Sequence, residues 1–281
     1  MAIDARLRES VNRYYSRKES KWGYKYLLKG TKHYGYYPFG RWAGLSLAQA
    51  QRLMERRLGE SLGLPAGAKV LDAGCGEGVV AIHLAKDFEY QVQGIDILDW
   101  SIEQANKNLA KSGLQGLKFD TMDYSDTDFP DNHFDGIYTM ETLVHSPDYR
   151  KTLKEFRRIL KPGGVIVHHE YVLEDRLPAN DEKDWRLMYT ECPMDQAFEA
   201  FRVSNIKKIW EKAGFAKVST DDITTKMIPF MKRLYQIAFA PYYLLKIFKK
   251  EKNHVNTFAG VRSYQLRHQF HYTVIKAHKP K

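Results

Sequence analysis

The stretch VLDAGCGEGVV, residues 70–80, leaves a run of apolar residues, crosses three alternating glycines and enters a second apolar run. Val70-Leu71-Asp72-Ala73 reads as the end of a buried strand, and Val79-Val80 as the start of a helix. Gly74, Gly76 and Gly78 between them permit a tight turn and let a ligand approach the backbone, where a helix N-terminus offers unpaired N–H groups. A dinucleotide fingerprint requires G-x-G-x-x-G, and the spacing here is G-x-G-x-G, so a nicotinamide cofactor is not expected.

Outward from this loop, short apolar runs alternate with amphipathic segments. The strands are expected at 68–73, 90–97, 116–123, 133–140, 163–172, 216–223 and 268–279, and the helices at 78–88, 101–113, 148–160 and 204–215, with Ser101 capping the second. Such alternation predicts an α/β fold, a doubly wound, mostly parallel seven-stranded sheet. The last strand follows the sixth and is expected to pair antiparallel at that edge. A helix over SLAQAQRLMERRLGESLGL, ending near Gly63, leads into this core. Residues 1–66 and two insertions, at about 174–202 and 226–262, form cap elements over the C-terminal ends of the strands, leaving residues 67–281 as the main domain.

The 281 residues carry a formal net charge of +10, concentrated in KMIPFMKR and LLKIFKKEK. A basic face of that kind suits an anionic membrane or an acidic ligand, while no nucleic-acid motif accompanies it. The longest apolar run, YQIAFAPYYLLKIF, is broken by Pro241 and Lys246 and falls short of the ~20 residues a span requires, so residues 226–253 are expected to touch a bilayer without crossing it. Only Cys75 and Cys192 occur, and MAIDARLRES lacks an apolar signal region, which predicts a cytoplasmic protein, membrane-surface association left open.

Asp96 closes the second strand, where a carboxylate suits either both hydroxyls of a ribose or the cap of the next helix. Asp123 and Tyr124 end the third strand, where they suit an adenine or an acidic surface loop. Together VLDAGCGEG, GIDI, Asp123-Tyr124, FPDNHFDGIYTMETLVHSPD and RILKPGG resemble the class I S-adenosylmethionine-dependent methyltransferases. The resemblance covers about residues 68–170 and implies a Rossmann-like methyltransferase fold. It implies S-adenosylmethionine as cofactor, with S-adenosylhomocysteine as product. The implied contacts are Asp72, Ala73, Gly74, Cys75, Gly76, Asp96, Ile97, Asp123, Tyr124 and Thr139.

KWGYKYLLKGTKHYGYYP and TMETLVHSP are similar to segments of the tocopherol and sterol C-methyltransferase branch, although Trp22-Gly23 stands farther from His33 than in that branch. This branch implies a terpenoid, sterol-like or prenylated aromatic acceptor and C-methylation. Glu141 and His145 would then act as base or orienting pair, with Trp22, Tyr34, Tyr36 and Tyr37 facing a carbocation. The alternatives are an O- or N-methyltransferase of phenols or alkaloids, and a non-catalytic S-adenosylmethionine-binding regulator. His168 and His169 are adjacent on a strand and point to opposite faces, so no metal site is expected. A homo-oligomer is left open.

Overall fold

The apolar runs become seven strands of one sheet in the computed structural model, which describes residues 5–28, 30–41 and 44–281. The strands are β1 (Lys69–Ala73), β2 (Gln91–Asp96), β3 (Lys118–Thr121), β4 (Phe134–Met140), β5 (Leu160–Leu173), β6 (Ala216–Asp222) and β7 (Phe270–His278). Their order in the sheet is β3-β2-β1-β4-β5-β7-β6. Val70 pairs in register with Val92 on one side and with Gly136 on the other, both parallel. The strand order reverses between β1 and β4, which opens a crevice outside their carboxyl ends.

β7 departs from expectation in one respect. It is antiparallel to β6 as anticipated, but it inserts between β5 and β6, and β6 becomes the edge. The side chains explain this: Phe270, Tyr272, Val274, Ile275 and Ala277 are all buried, whereas of the seven residues of β6 only Val218 is. The more apolar strand takes the interior position, since each fully buried Val, Ile or Phe side chain contributes ~1.5–3 kcal/mol.

Helices cover both faces. Before the sheet come α1 (Ala5–Ser16), α2 (Lys18–Trp22) and α3 (Leu47–Leu62); the crossovers include α4 (Val79–Phe88), α5 (Asp99–Ser112) and α6 (Tyr149–Ile159). After β5 follow α7 (Ala179–Glu191), α8 (Asp195–Ala200) and α9 (Ile206–Lys212), and β6 is separated from β7 by α10 (Thr224–Ile247) and α11 (Val255–Gln265). α3 is delimited by local chemistry: Ser46 and Gln49 form a reciprocal capping box, and Gly63 ends the helix in the left-handed conformation at φ 61°. α5 begins two residues earlier than expected. Ser101 lies buried inside its first turn, the helix has no side-chain cap, and the Asp96 carboxylate accepts the N–H of Leu98 just before it.

The glycine loop is held tightly against the sheet. A Cβ at Gly94 of β2 would lie 2.6 Å from the Phe119 ring and 2.9 Å from Cys75 Cβ. Gly94→Ala is therefore expected to destabilise the protein by ~1–3 kcal/mol through overpacking, read as a lower denaturant midpoint with an unchanged slope.

Candidate active site

At the exit of β4 the backbone turns sharply. Glu141 takes φ 57°, a left-handed conformation that strains a residue with a Cβ by ~1–2 kcal/mol, and its N–H is held by the His169 carbonyl at 2.9 Å. The next residue, Thr142, donates its hydroxyl to the Ala73 carbonyl at 3.3 Å and packs so closely that a Cβ on Gly74 would meet its oxygen at 2.1 Å. Only glycine fits at 74, so the glycine loop and the end of β4 are interlocked.

Glu141 is buried and its carboxylate is engaged. One oxygen accepts the Tyr34 N–H at 2.7 Å and the Tyr272 hydroxyl at 2.7 Å, and the other accepts the Tyr171 hydroxyl. Burial pushes its pKa up, opposed by the nearby His33 charge and by these donors. The carboxylate thus ties the N-terminal segment, β5 and β7 to the end of β4.

On one side of this turn lies a cleft floored by the glycine loop and walled by Asp72, Asp96, Ile97, Asp123 and Tyr124, with Leu7 and Val11 of α1 above. Asp96 accepts the Gly76 N–H and the Leu98 N–H, both at 2.9 Å, leaving further lone pairs on its oxygens. Burial raises its pKa, offset first by Lys32, and burial raises that of Asp72 to about 7. The Ser101 hydroxyl in the cleft wall is buried without a partner, and a Cβ on Gly76 would find only the Lys32 ammonium, at 3.7 Å. An open glycine backbone, an acceptor for hydroxyls and an orphaned hydroxyl donor fit a nucleoside with an amino-acid tail.

On the other side lies an apolar cavity of about 470 Å³, lined among others by Trp22, Tyr24, Tyr189, Phe230, Leu234 and Phe270. Cleft and cavity share five residues: Tyr15, Lys32, His33, Glu141 and His145. His33 Nδ1 faces the Tyr34 carbonyl at 2.8 Å and Nε2 faces a Glu55 oxygen at 3.2 Å. Both partners can only accept, so both ring nitrogens carry protons and the buried ring is an imidazolium. Burial would lower the His33 pKa, but Glu55, Glu141 and the carbonyl outweigh it and raise it. Glu55 is itself held down at about 2 by His33 and His83 against the opposing effect of burial, with Arg52 at 3.0 Å.

His145 is the opposite case. Its Nδ1 faces the Pro193 carbonyl at 3.2 Å and so carries the proton; its Nε2 is then the acceptor for the Tyr15 hydroxyl at 3.1 Å. Burial lowers its pKa to about 4, so the ring is neutral near pH 7. Lys32 lies 4.8 Å from the Tyr15 ring centre and 4.9 Å from that of Trp100, with Glu77 at 3.9 Å. The wall between cleft and cavity therefore carries two positive charges beside a carboxylate held by three donors and a neutral histidine.

The structure brings together Asp72, Gly74, Cys75, Gly76, Asp96, Ile97, Asp123, Tyr124, Glu141 and His145 around the cleft, and places Trp22 and Tyr34 on the cavity. Four expected residues lie elsewhere. Thr139 is fully buried and hydrogen-bonded to His168, because strand alternation turns it away from the face that Met140 presents to the cleft. Tyr36 lies under the Arg57 guanidinium at 5.1 Å, and Tyr37 packs with Ala50 and Phe230. Ala73 contributes a carbonyl to Thr142. Tyr15 and Lys32, which the sequence did not single out, have no motif of their own; they arrive on segments placed by tertiary contacts such as Arg8 to Asp99 and Trp100 Nε1 to Asn12.

Unfolded, a histidine protonates near 6.5, and His145 in place only near 4. In that window the unfolded chain binds more protons, so stability falls as pH falls. The predicted loss between about pH 7 and about pH 4 is ~3 kcal/mol greater for the wild type than for His145→Gln, measured by denaturant unfolding at each pH.

A methyltransferase-domain family model matches residues 46–220. The S-adenosyl-L-methionine-dependent Diels-Alderase iccD of Talaromyces variabilis is 32% identical over 283 residues, covering 96% of this chain and 95% of that protein. The sterol 24-C-methyltransferase erg6 of Aspergillus fumigatus is 33% identical over 180 residues, covering 63% of this chain but 48% of its own length. Among solved structures, that of the cyclase SpnF superposes with a TM-score of 0.73 at 22% identity, covering 93% of this chain and 94% of that one, a likeness of fold. With the glycine loop, the strand-end carboxylates and these matches in agreement, the chain belongs to the S-adenosylmethionine-dependent methyltransferase family.

Proposed function

We propose that the protein holds S-adenosylmethionine in the cleft and cyclises a lipophilic polyene in the adjoining cavity by a [4+2] cycloaddition. The observation that carries this reading is the state of the shared wall. His145 Nε2 already accepts a hydrogen bond from the Tyr15 hydroxyl, Glu141 is held by three donors, and His33 has both nitrogens protonated. None of these three is poised to take a proton. A cycloaddition requires no proton transfer: two π bonds are consumed, two σ bonds form and no atom is gained or lost. The relative that matches along nearly the whole chain is named for that reaction.

Asp96, Asp72, Ser101 and the Gly74–Gly78 loop would hold the nucleoside, and Lys32 the carboxylate of its amino-acid tail. Bound there, S-adenosylmethionine supplies a fixed sulfonium charge and a transferable methyl group. The apolar walls would fold the chain so that its reacting ends meet, and proximity of that kind contributes up to ~7–11 kcal/mol. His33, positive and desolvated, would stabilise electron density that shifts towards the wall during the reaction.

A second reading is C-methylation of an alkene, favoured by the erg6 match and by Tyr15 and Tyr34 facing the wall. It would generate a carbocation beside Lys32 and His33, which repel it, and would require Glu141 or Tyr15 to release its present partner. O- or N-methylation would call on His145 as base, and its depressed pKa makes it a weak one.

The two principal reactions differ in product mass. Incubation of the protein and methyl-labelled S-adenosylmethionine with linear polyenes is expected to give an unlabelled isomer of unchanged mass. A product heavier by one methylene and carrying the label would overturn the cyclase reading in favour of methylation. Tyr15→Phe and His145→Gln are expected to lower the cyclisation rate by less than about tenfold, short of the ~10²–10⁴-fold that loss of a general base produces.

A further inference from the structure

The C-terminal half of α10 presents apolar side chains to solvent. Its N-terminal half buries Met227, Phe230 and Met231, whereas beyond Pro241 only Tyr242 is buried. Leu244 is 59% exposed, Ile247 74% and Phe248 65%. These residues continue the helical stripe of Ile237 and Pro241, which line the cavity mouth. Trp22 at the end of α2 also lines the cavity and is 60% exposed, and Tyr26, whose ring lies 6.2 Å from it, is 63% exposed. Isolated exposed side chains are ordinary, but two apolar lips at one cavity are not.

The charge around these lips is predominantly positive. Between residues 232 and 252 the chain carries Lys232, Arg233, Lys246, Lys249, Lys250 and Lys252 against the single acid Glu251. On the Trp22 lip Lys21 and Lys25 are exposed, and Lys25 lies over the Tyr26 ring at 5.3 Å. Aromatic and aliphatic side chains flanked by lysines match the boundary of an anionic bilayer, where the rings sit at headgroup level and each cation contributes attraction. Among the described residues no helix is long and apolar enough to cross a membrane, so the contact would be peripheral.

We infer that this rim docks on an anionic phospholipid surface, with the cavity mouth facing the bilayer so that a lipophilic substrate enters from the membrane. The inference rests on the reading of the cavity as a site for a lipophilic molecule, but its test needs no turnover.

The full-length protein is sedimented with phosphatidylcholine vesicles, with and without phosphatidylserine. Binding is expected only with phosphatidylserine, and Leu244→Glu with Ile247→Glu and Phe248→Glu should lower the bound fraction by about tenfold. The charge variant Lys246→Glu with Lys249→Glu and Lys250→Glu should lower it about as much. Both variants change exposed side chains outside the cavity, so activity towards detergent-dispersed polyene is expected to match the wild type. No wild-type binding to phosphatidylserine vesicles, or equal binding by both variants, would overturn the inference. A wild-type dimer in solution that the apolar variant converts to monomer would also overturn it, by assigning the surface to a second copy. These outcomes leave the product-mass test of the reaction unaffected.

Discussion

The Glu141 carboxylate is the interaction on which the site depends. It gathers the Tyr34 N–H from the N-terminal segment and the Tyr171 and Tyr272 hydroxyls from the sheet onto one residue in a strained conformation. Hydrogen bonds to an ionised acceptor contribute ~1.5–3 kcal/mol each, enough together to offset the ~1–2 kcal/mol of backbone strain. The result is a fixed wall: cleft on one side, cavity on the other, with the chain from Thr31 to Tyr34 sealed against the end of β4.

A buried carboxylate of this kind requires a nearby positive charge, and His33 supplies it. Its own charge is stabilised in turn by Glu55, which also meets His83 and Arg52 at the surface end of the network. Charge therefore alternates inward from Arg52 through Glu55 and His33 to Glu141. Each buried member is paired, which is the condition for holding charges away from water. The arrangement fixes an electrostatic field at the wall, with the Glu141 carboxylate held by three donors beside it.

Much of the fold was legible because its signals are local. The glycine spacing at 74–78, the carboxylates at strand ends and the alternation of short apolar runs each report on a few neighbouring residues, and the sheet follows from them. The interior position of β7 was not legible, since it is set by competition between β6 and β7 for burial against β5. Ser101 was read as a cap because capping chemistry is local, but the helix begins at Asp99 without a side-chain cap and Ser101 falls inside its first turn. Tyr36 and Tyr37 belong to the same aromatic cluster as Tyr34, yet their N–H groups bond the Ala50 and Lys226 carbonyls and carry the chain away from the cavity. Tyr15 reaches His145 from 130 residues away, and no local pattern encodes such a contact.

Glu141 clamps the N-terminal segment to the sheet through the Tyr34 N–H and the Tyr171 and Tyr272 hydroxyls. Hydrogen exchange at the Tyr34 amide tests this clamp most directly, with Glu141→Gln compared to the wild type. Glutamine has one acceptor oxygen and no charge, so protection of that amide should fall by about tenfold or more, the factor expected for losing a charged hydrogen bond. Unchanged protection at Tyr34 would mean that the Glu141 carboxylate does not hold the N-terminal segment.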